Sequence, residues 1–264
     1  MSELDPALQS GWTSPYGPFA RLYDRRWGRR IRDLMLPVLE PLLLRHLPAG
    51  AAVLDVGCGP AWISQALAER GFAVTGLDLD ADMLGLARGN APGCRLLRAD
   101  ARRFRLPPVF AGALSTSGAL NELLTLPEIA SVLANVHHAL VAGGRFCFDC
   151  LLDGEFEGRD RPLQALVEDD FVELWCERFD PATARLSADV TLFHREDGGW
   201  QRCDITDCQQ LYTAAGIAGA LAEAGFRDVR VLSAARDLDC PDLAGRTFFV
   251  AEKAPGSGGP GGAG

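Results

Sequence analysis

The chain has 264 residues, enough to bury one substantial core, so an elaborated single domain is expected. Its residues are 48% hydrophobic and 23% charged, which is typical of a globular protein. The net charge of −9 argues against a nucleic-acid partner, because phosphate backbones are bound by basic surfaces. No apolar run is long enough to cross a bilayer, and residues 1–18 lack the features of a signal peptide. We therefore expect a cytoplasmic protein with reduced cysteines and no membrane partner.

The first fifty residues predict a helical cap. Residues 15–50 carry two helical patterns, at Phe19–Trp27 and Ile31–His46, with a break near Gly28. Residues 1–14 precede this pattern and are expected to be mobile.

Strand and helix patterns alternate between residues 52 and 151. This alternation predicts a parallel sheet with helices on both faces, the doubly wound α/β class. The strands are predicted at Ala52–Val56, Ala73–Leu77, Cys94–Arg98, Val109–Ser115 and Arg145–Leu151. The helices between them are predicted at Ala61–Arg70, Ala81–Arg88 and Glu128–Leu140.

After residue 151 the pattern changes to strands joined by short turns. Within residues 165–212, three strands predict an antiparallel meander, at Phe171–Phe179, Leu186–Arg195 and Trp200–Leu211. Because it is inserted after the fifth strand, this meander should cover the carboxyl edge of the sheet as a partial lid. Residues 213–253 bring the mostly parallel sheet to seven strands, with a helix at Ile217–Glu223 and strands at Val229–Ser233 and Thr247–Ala251. The glycine-rich residues 254–264 predict a disordered tail.

The segment from Val53 to Ala61 is the most informative part of the chain. A short apolar strand, interrupted by Asp55, turns on Gly57 and Gly59 into a helix. Such a turn presents unpaired backbone N–H groups and lets a ligand approach the main chain. The second strand ends at Asp78, about 20 residues farther on, where an acid commonly accepts hydrogen bonds from ribose hydroxyls. These features predict a nucleoside site at the carboxyl ends of the strands.

Trp62 bears on which nucleoside is bound. A dinucleotide fingerprint needs a small residue at this position so that helix and strand can pack closely, and tryptophan is far too large. No Lys-Ser or Lys-Thr pair is present to make a phosphate loop. Asp55 would repel a phosphate but attract a cationic amino group. The segment therefore favours a nucleoside that carries an amino acid, and a nicotinamide-dependent oxidoreductase remains the alternative among enzymes.

The chain contains five motif-like stretches, of which the first is the glycine turn described above. In chain order they are Val53–Pro60, Gly76–Leu79, Ala99–Ala101, Ser115–Leu123 and Val141–Arg145. As a set they resemble the motifs of the class I S-adenosylmethionine-dependent methyltransferases. The resemblance covers residues 14–253 and is strongest to the branch that methylates metabolites, sugars and antibiotic intermediates. One position departs from the pattern, because the usual third motif glycine is Ala61.

This resemblance implies S-adenosylmethionine as the cofactor and residues 52–151 as the cofactor-binding core. Asp55 would contact the amino group of the cofactor, Asp78 the ribose hydroxyls and Asp100 the adenine amino group. The full set of implied cofactor-binding residues is Tyr16, Tyr23, Asp55, Gly57, Cys58, Gly59, Asp78, Leu79, Met83, Asp100, Ala101, Ser115 and Thr116.

A small-molecule substrate would lie between the cap and the lid, as in the resembling enzymes. The candidate substrate-binding residues are Asn121, Glu173, Trp175, His194 and Arg202. Tyr23 and His194 are candidates for a catalytic group, but no strong base signature is present. That favours N-methylation slightly over O-methylation, because a neutral amine needs no dedicated base. A non-catalytic or atypical S-adenosylmethionine-binding protein is the alternative from another class.

No metal site is expected. Cys147 and Cys150 have a spacing that can bind metal, but residues three apart on a strand point to opposite faces. The identity of the substrate and the oligomeric state stay open.

Overall fold

The computed structural model describes residues 17–155 and 161–256. The strands are β1 Ala52–Val56, β2 Ala73–Asp78, β3 Arg95–Arg98, β4 Phe110–Ser115, β5 Leu140–Leu151, β6 Arg161–Val167, β7 Phe171–Asp180, β8 Arg185–Glu196, β9 Gly199–Gln210, β10 Phe226–Ser233 and β11 Arg246–Lys253. The α-helices are α1 Gly17–Tyr23, α2 Arg29–Leu42, α3 Trp62–Glu69, α4 Ala81–Asn90, α5 Leu126–Ala139, α6 Ala214–Glu223 and α7 Ala234–Asp237. The expectations for residues 1–14, for Tyr16 and for residues 257–264 lie outside the described residues.

Seven strands form the central sheet in the order β3-β2-β1-β4-β5-β11-β10. β1 to β5 pair in parallel, and β11 runs antiparallel between β5 and β10. One face buries a core against α5 and α6, and the other buries a second core against α2 and α3. The doubly wound seven-stranded α/β fold predicted from the sequence is confirmed.

The order of the strands reverses between β1 and β4. Such a switch point opens a crevice outside the carboxyl ends of the strands, and this crevice is where doubly wound sheets bind their ligands. The fold therefore places the residues that follow β1, β2, β3 and β4 around one crevice.

The N-terminal cap differs from the two separate helices that the sequence predicts. α1 and α2 are joined by a π-helical turn at Asp24–Gly28, and the helical backbone does not break at Gly28. A side chain at this glycine would place its Cβ 2.3 Å from the indole ring of Trp62. Gly28 is thus required for close packing against α3, and it does not end the helix.

The lid has four strands, in the order β6-β7-β8-β9, where three were predicted. β6 pairs antiparallel with β7 at the edge of this sheet. Its sequence includes Pro162, which lowers the strand signal because proline is confined to edge strands and bulges. The prediction of an antiparallel lid holds, and the missed strand is one of the two edge strands of the described lid sheet. β5 also begins earlier than predicted, at Leu140 instead of Arg145.

Contacts between cap and lid hold the two together on one side of the crevice. Phe19 and Leu22 of α1 pack into an apolar cluster with Phe171, Val190 and Leu192 of the lid. Around this cluster, ion pairs join Arg26 to Glu173 and Arg25 to Asp170 and Glu168.

Cys147 and Cys150 belong to the cores on opposite faces of the sheet, as their spacing predicts. In residues 17–155 and 161–256, no group of three or more metal-ligating side chains of the His, Cys, Asp or Glu type lies close enough to hold an ion. No described helix is long and apolar enough to span a membrane.

Asn121 ties the sheet to the end of the lid. Its side chain is fully buried and donates to the carbonyl oxygens of Leu151 at 3.0 Å and Gln210 at 2.8 Å. The same amide accepts from the Leu151 N–H at 2.9 Å. All three bonds satisfy part-buried backbone groups of β5 and β9.

Substitution of Asn121→Ala is expected to lower the free energy of unfolding by about 2–4 kcal/mol, because buried backbone groups lose their partners at about 1–3 kcal/mol each. Urea denaturation measures the change. Gln201→Ala, which removes an exposed amide from β9, is the control and should shift stability by less than about 0.5 kcal/mol. Equal effects of the two substitutions would contradict the structural role of Asn121.

Candidate functional site

The loop after β1 turns on two glycines in the left-handed region. Gly57 has a φ of 70° and Gly59 a φ of 52°. The N–H groups of Gly57 and Cys58 donate to the Leu77 carbonyl of β2 at 2.8 and 3.0 Å. A Cβ on Gly57 would meet Ala119 at 2.9 Å, so this position requires glycine for space as well as for conformation. Two strands and the turn after β4 thus hold the loop against the crevice.

Ala61, where the motif usually has glycine, is also left-handed, with a φ of 63°. Its methyl group is fully buried with Ala87 and Ala91 of α4 and points away from solvent. A left-handed alanine costs roughly 1–2 kcal/mol. The departure from the motif therefore costs some stability. The methyl group of Ala61 lies in a small apolar cluster behind the loop.

Asp78 connects the end of β2 to the glycine loop. Its carboxylate accepts the Gly59 N–H at 2.7 Å and the Asp80 N–H at 2.9 Å. Burial raises the pKa of this carboxyl, and the two backbone hydrogen bonds act against the rise. Each oxygen still has a free lone-pair direction after these bonds. The group is therefore fixed in position and can accept further hydrogen bonds from a diol.

Asp55 lies deeper, beneath the loop. It is 2% exposed and accepts a hydrogen bond of 2.6 Å from the Ser64 hydroxyl. Burial raises its pKa to about 7, and the nearby charge of Asp78 adds to the rise. A cationic group bound next to Asp55 would favour the ionised form.

Asp100 is already engaged by Arg102. The guanidinium donates from Nε and Nη2 to the two carboxylate oxygens at 2.9 and 2.8 Å, and its other Nη donates to Glu128 at 2.6 Å. Burial alone would raise the pKa of Asp100, but the hydrogen bonds from Arg102 outweigh it and lower the pKa. An adenine amino group at this carboxylate would share it with Arg102.

These groups surround a cavity of about 270 Å³, which we call the loop cavity. Its walls include the glycine loop, the apolar side chains Leu79 and Met83, and the turn after β4. Of the residues implied as cofactor ligands, those that line it are Tyr23, Asp55, Gly57, Cys58, Gly59, Asp78, Leu79, Met83, Asp100, Ala101 and Thr116. Ser115 is buried at the end of β4 and does not line it, and Tyr16 lies outside the described residues.

Trp62 fastens the cap to this cavity. Its indole N–H donates to Asp24 of the π-helical turn at 2.6 Å. The amide of Asn90 donates to the same oxygen of Asp24 at 2.8 Å and to the carbonyl of Pro60 in the glycine loop at 2.9 Å. Cap, loop and α4 therefore share one polar junction around Asp24, and Trp62 donates one of its hydrogen bonds.

A second cavity of about 350 Å³, the lid cavity, lies between the cap, the inner face of the lid and the sheet. Four residues line both cavities and form the boundary between them: Tyr23, Ile31, Ser117 and Glu122. Burial raises the pKa of Tyr23 to about 12. Its phenol therefore stays protonated at neutral pH and can donate a hydrogen bond at the boundary.

The inner face of the lid presents a row of carboxylates to this cavity. Glu177 of β7 and Asp207 of β9 lie on either side of Ala188 of β8, because each pairs with that alanine in the register of the sheet. Burial raises the pKa of Asp207, and the charge of Glu177 adds to the rise. Trp175 lines the cavity next to this row.

Four predicted substrate or catalytic residues are not brought to either cavity. Arg202 is on the outer face of the lid, 60% exposed and paired with Asp204 at 2.9 Å. His194 lies at the far end of the lid, 3.3 Å from Glu196. Glu173 is buried in its ion pair with Arg26, and Asn121 is used by the backbone of β5 and β9.

The geometry of the lid explains why these four residues do not line either cavity. Period-two alternation places Glu173 and Trp175 on the same face of β7, but it does not say how far along the strand the cap will cover that face. α1 docks over the Phe171 end, so the cavity begins only at Trp175. Glu177, Asp207 and Arg246 line the cavity and were not selected from the sequence. For Glu177, the shared face with Trp175 was a usable signal, whereas Arg246 had none.

Residues 53–144, the part of the sheet that carries the loop cavity, match a model of the methyltransferase domain. A putative methyltransferase of Geobacillus sp. (strain WCH70) is 25% identical over 248 residues, covering 90% of this chain and 99% of that relative. Residues 53–144 therefore carry a methyltransferase domain, and the chain is an S-adenosylmethionine-dependent methyltransferase.

Other proteins are similar to this methyltransferase over parts or all of its length. The ubiquinone biosynthesis O-methyltransferase of Xylella fastidiosa (strain 9a5c) is 32% identical over 152 residues, 54% of this chain and 56% of that one. A dTDP-3-amino-3,6-dideoxy-alpha-D-glucopyranose N,N-dimethyltransferase of Streptomyces fradiae is 33% identical over 119 residues, 44% of this chain and 47% of that one. The sugar N-methyltransferase KedS8 from Streptoalloteichus sp ATCC 53650 shares the fold, with a TM-score of 0.74 at 16% identity over 96% of this chain and 99% of that chain.

The loop cavity of this methyltransferase fits S-adenosylmethionine. Gly57 and Gly59 leave the space that a Cβ would fill, which lets a ligand approach the main chain. Asp55 and Asp78 offer acceptors for an ammonium group and for hydroxyls. Leu79 and Met83 add an apolar wall suited to a base. Among the described residues that line the cavity, Arg102 is the one cation, and its charge is taken up by Asp100 and Glu128.

Substitution of Asp78→Asn is expected to weaken S-adenosylhomocysteine binding by about 10- to 100-fold. An amide cannot accept both backbone N–H groups and a ribose hydroxyl, and a hydrogen bond to a charged group contributes about 1.5–3 kcal/mol. Isothermal titration calorimetry measures the affinity. Asp82→Asn, an exposed carboxylate on the neighbouring helix, is the matched control and should bind as wild type does. Unchanged affinity in Asp78→Asn would contradict the assigned contact.

Substitution of Asp55→Asn is expected to flatten the dependence of stability on pH. The native pKa of about 7 lies above the ordinary value of 3.8, so the native state holds this proton more tightly. The stabilisation is complete below the ordinary value and is lost as the pH rises to about 7. Urea titrations are made at intervals of about half a pH unit between about pH 4.5 and 7.5. The free energy of unfolding should decline less steeply with rising pH for Asp55→Asn than for wild type. A slope equal to that of wild type, or equal to that of Asp82→Asn, would refute the assignment.

Proposed function

We propose that this enzyme transfers the methyl group of S-adenosylmethionine to a nitrogen atom of a small molecule held in the lid cavity. The observation that carries the proposal is the common boundary of the two cavities, formed by Tyr23, Ile31, Ser117 and Glu122. A molecule in the lid cavity can meet a cofactor in the loop cavity only across these residues.

When bound, S-adenosylmethionine supplies an electrophilic methyl group on its sulfonium sulfur. Asp78 would hold the ribose hydroxyls and Asp55 the ammonium group, both fixed in place by their own hydrogen bonds. Leu79 and Met83 would lie against the adenine. The remaining contacts would be made by Gly57, Cys58 and Gly59 of the glycine loop, by Ala101 after β3 and by Thr116 after β4.

The carboxylates of the lid cavity favour a cationic or amine-bearing acceptor. Two guanidinium groups, Arg30 and Arg246, line the cavity, and Arg246 is paired with the buried Asp149 at 2.5 Å. The carboxylates that line it are Glu122, Glu177, Asp207 and Asp242. This excess of negative charge attracts an ammonium group and disfavours an anionic substrate. Aromatic walls from Phe19, Trp27 and Trp175 would add cation–π attraction.

The polar groups at the boundary also favour nitrogen over oxygen. A hydroxyl acceptor needs a base to remove its proton, while a neutral amine attacks through its lone pair. The Tyr23 phenol has a pKa of about 12 and is no base at neutral pH. In the described chain, no histidine lines either cavity. Tyr23 is therefore a group that binds and orients the acceptor, and an ammonium acceptor releases its proton to solvent before the amine attacks.

The relatives support a small-molecule acceptor. Their names include both N-methylation and O-methylation. The relative from Streptomyces fradiae is named for N,N-dimethylation of an amino sugar nucleotide, and that from Xylella fastidiosa for O-methylation in ubiquinone biosynthesis. The acidic lid cavity is the feature of this chain that favours the first of these chemistries.

Tyramine tests the choice, because it carries a primary amine and a phenol in one molecule. The enzyme is incubated with S-adenosylmethionine and tyramine, and mass spectrometry locates the methyl group. Methylation at nitrogen is expected, and methylation at oxygen would overturn the proposal. The amino sugar nucleotide named for the Streptomyces fradiae relative serves as a second probe. A melting temperature that rises with S-adenosylhomocysteine and not with a nicotinamide dinucleotide is the control for cofactor binding.

Substitutions of Glu177→Gln and Asp207→Asn are each expected to raise the KM for an amine acceptor by about 10-fold. Each removes one negative charge from the lid cavity, and the loss of one charged contact is worth about 1.4 kcal/mol or more. Steady-state kinetics at saturating S-adenosylmethionine measures the change. Asp204→Asn, on the outer face of the same lid, is the matched control and should leave KM unchanged. Equal KM values in all variants would show that these carboxylates do not bind the acceptor.

A further inference from the structure

Ser117, in the turn after β4, has a backbone conformation that serine rarely adopts. Its φ is 66°, and the next residue, Gly118, is also left-handed with a φ of 71°. A left-handed conformation costs a non-glycine residue roughly 1 kcal/mol or more. Glycine could adopt it without this cost. The serine side chain thus stands at a position where the backbone favours glycine.

Asp149 of β5 holds this strained turn in place. Its carboxylate is fully buried and accepts the Ser117 N–H at 2.7 Å and the Gly118 N–H at 3.0 Å. Arg246 of β11 donates to the same carboxylate at 2.5 Å. Because three donors from two separate segments converge on one group, the turn has little freedom to relax. The direction of the Ser117 side chain is therefore set by the fold.

That direction is toward the boundary between the two cavities. Ser117 lines both the loop cavity and the lid cavity, together with Tyr23, Ile31 and Glu122. Its Oγ is buried, and no described group forms a hydrogen bond of normal geometry with it. The Tyr23 phenol lies close enough for a hydrogen bond with the Ser117 side chain to lower the tyrosine's pKa, and a serine oxygen that makes one such contact can still accept another hydrogen bond. A buried hydroxyl with unused hydrogen-bonding capacity, placed between cofactor and acceptor, has a ready role in orienting the acceptor.

We infer that Ser117 is a positioning residue for the methyl acceptor, whose N–H it receives on Oγ. This inference rests on the proposed function, since it takes the acceptor to be an amine in the lid cavity. An amine that donates one N–H to Ser117 keeps its lone pair free for attack, and the fixed N–H limits the directions in which that lone pair can point. Fixing this direction promotes in-line attack, in which alignment of the reacting atoms accounts for much of the rate. Ser117 neither gains nor loses a proton in this role.

Two substitutions separate the hydroxyl from the backbone. Ser117→Gly removes the hydroxyl and also relieves the left-handed strain, so this variant should fold at least as stably as wild type. Ser117→Ala removes the hydroxyl and keeps the strain. Ser233→Ala is the control, because Ser233 is also a buried serine but lines neither cavity. Kinetics with tyramine and with the amino sugar nucleotide, and calorimetry with S-adenosylhomocysteine, are measured for all four proteins.

Both Ser117 variants are expected to lose about 10- to 100-fold in kcat, with S-adenosylhomocysteine affinity within about 2-fold of wild type. Ser233→Ala should keep its kcat. A structural role alone would spare Ser117→Gly, so a kcat within about 2-fold of wild type in that variant would overturn the inference. A loss of cofactor affinity equal to the loss of kcat would overturn it as well.

The acceptor atom is tested separately. If wild type methylates the phenol oxygen of tyramine and Ser117→Gly loses that activity, the nitrogen preference and the N–H contact to Oγ are both overturned, and Ser117 positions a hydroxyl acceptor instead. If wild type neither binds nor methylates the two amines while it binds S-adenosylhomocysteine, the proposed function fails and the assignment of Ser117 is overturned with it.

Discussion

The buried carboxylate of Asp149 holds together the part of the molecule where the two cavities meet. It accepts two N–H groups from the turn after β4 and one guanidinium donor from β11. A charge so fully buried is stable only when hydrogen-bonded donors surround it. Asp149 therefore fixes the left-handed turn at Ser117 and the position of Arg246 in one step. The boundary between cofactor and acceptor depends on these contacts.

The cap and the lid complete that boundary from the other side. Asp24 of the π-helical turn receives hydrogen bonds from Trp62 and Asn90, so the cap is tied to the helices that follow the glycine loop. The ion pair of Arg26 with Glu173 and the apolar cluster around Phe19 tie the same cap to the lid. Tyr23, which ends α1, is thereby carried to the boundary. Cofactor and acceptor sites are linked through one short helical segment.

Much of this could be predicted from local pattern. The alternation of strands and helices predicts the sheet, because a doubly wound sheet leaves few other solutions. Gly57, Gly59 and Asp78 predict one crevice, because the carboxyl ends of parallel strands share an edge. The acceptor site was harder to predict. The sequence pattern correctly places Arg202 and His194 on strands of the lid. In the structure, Arg202 lies on the outer face of the lid, and His194 lines neither cavity.

Local sequence pattern thus predicts the fold class and, through the spacing of Gly57, Gly59 and Asp78, a nucleoside site at the switch point. The other cofactor residues came from the resemblance to a family and not from spacing. Tertiary structure alone decided the acceptor site. Glu177 and Asp207 lie on either side of Ala188 only after three strands take their register. Arg246 reaches Asp149 only when the last strand enters the sheet beside β5. Where α1 covers the lid and where it leaves a cavity depends on packing between segments some 150 residues apart, and no local pattern encodes that distance.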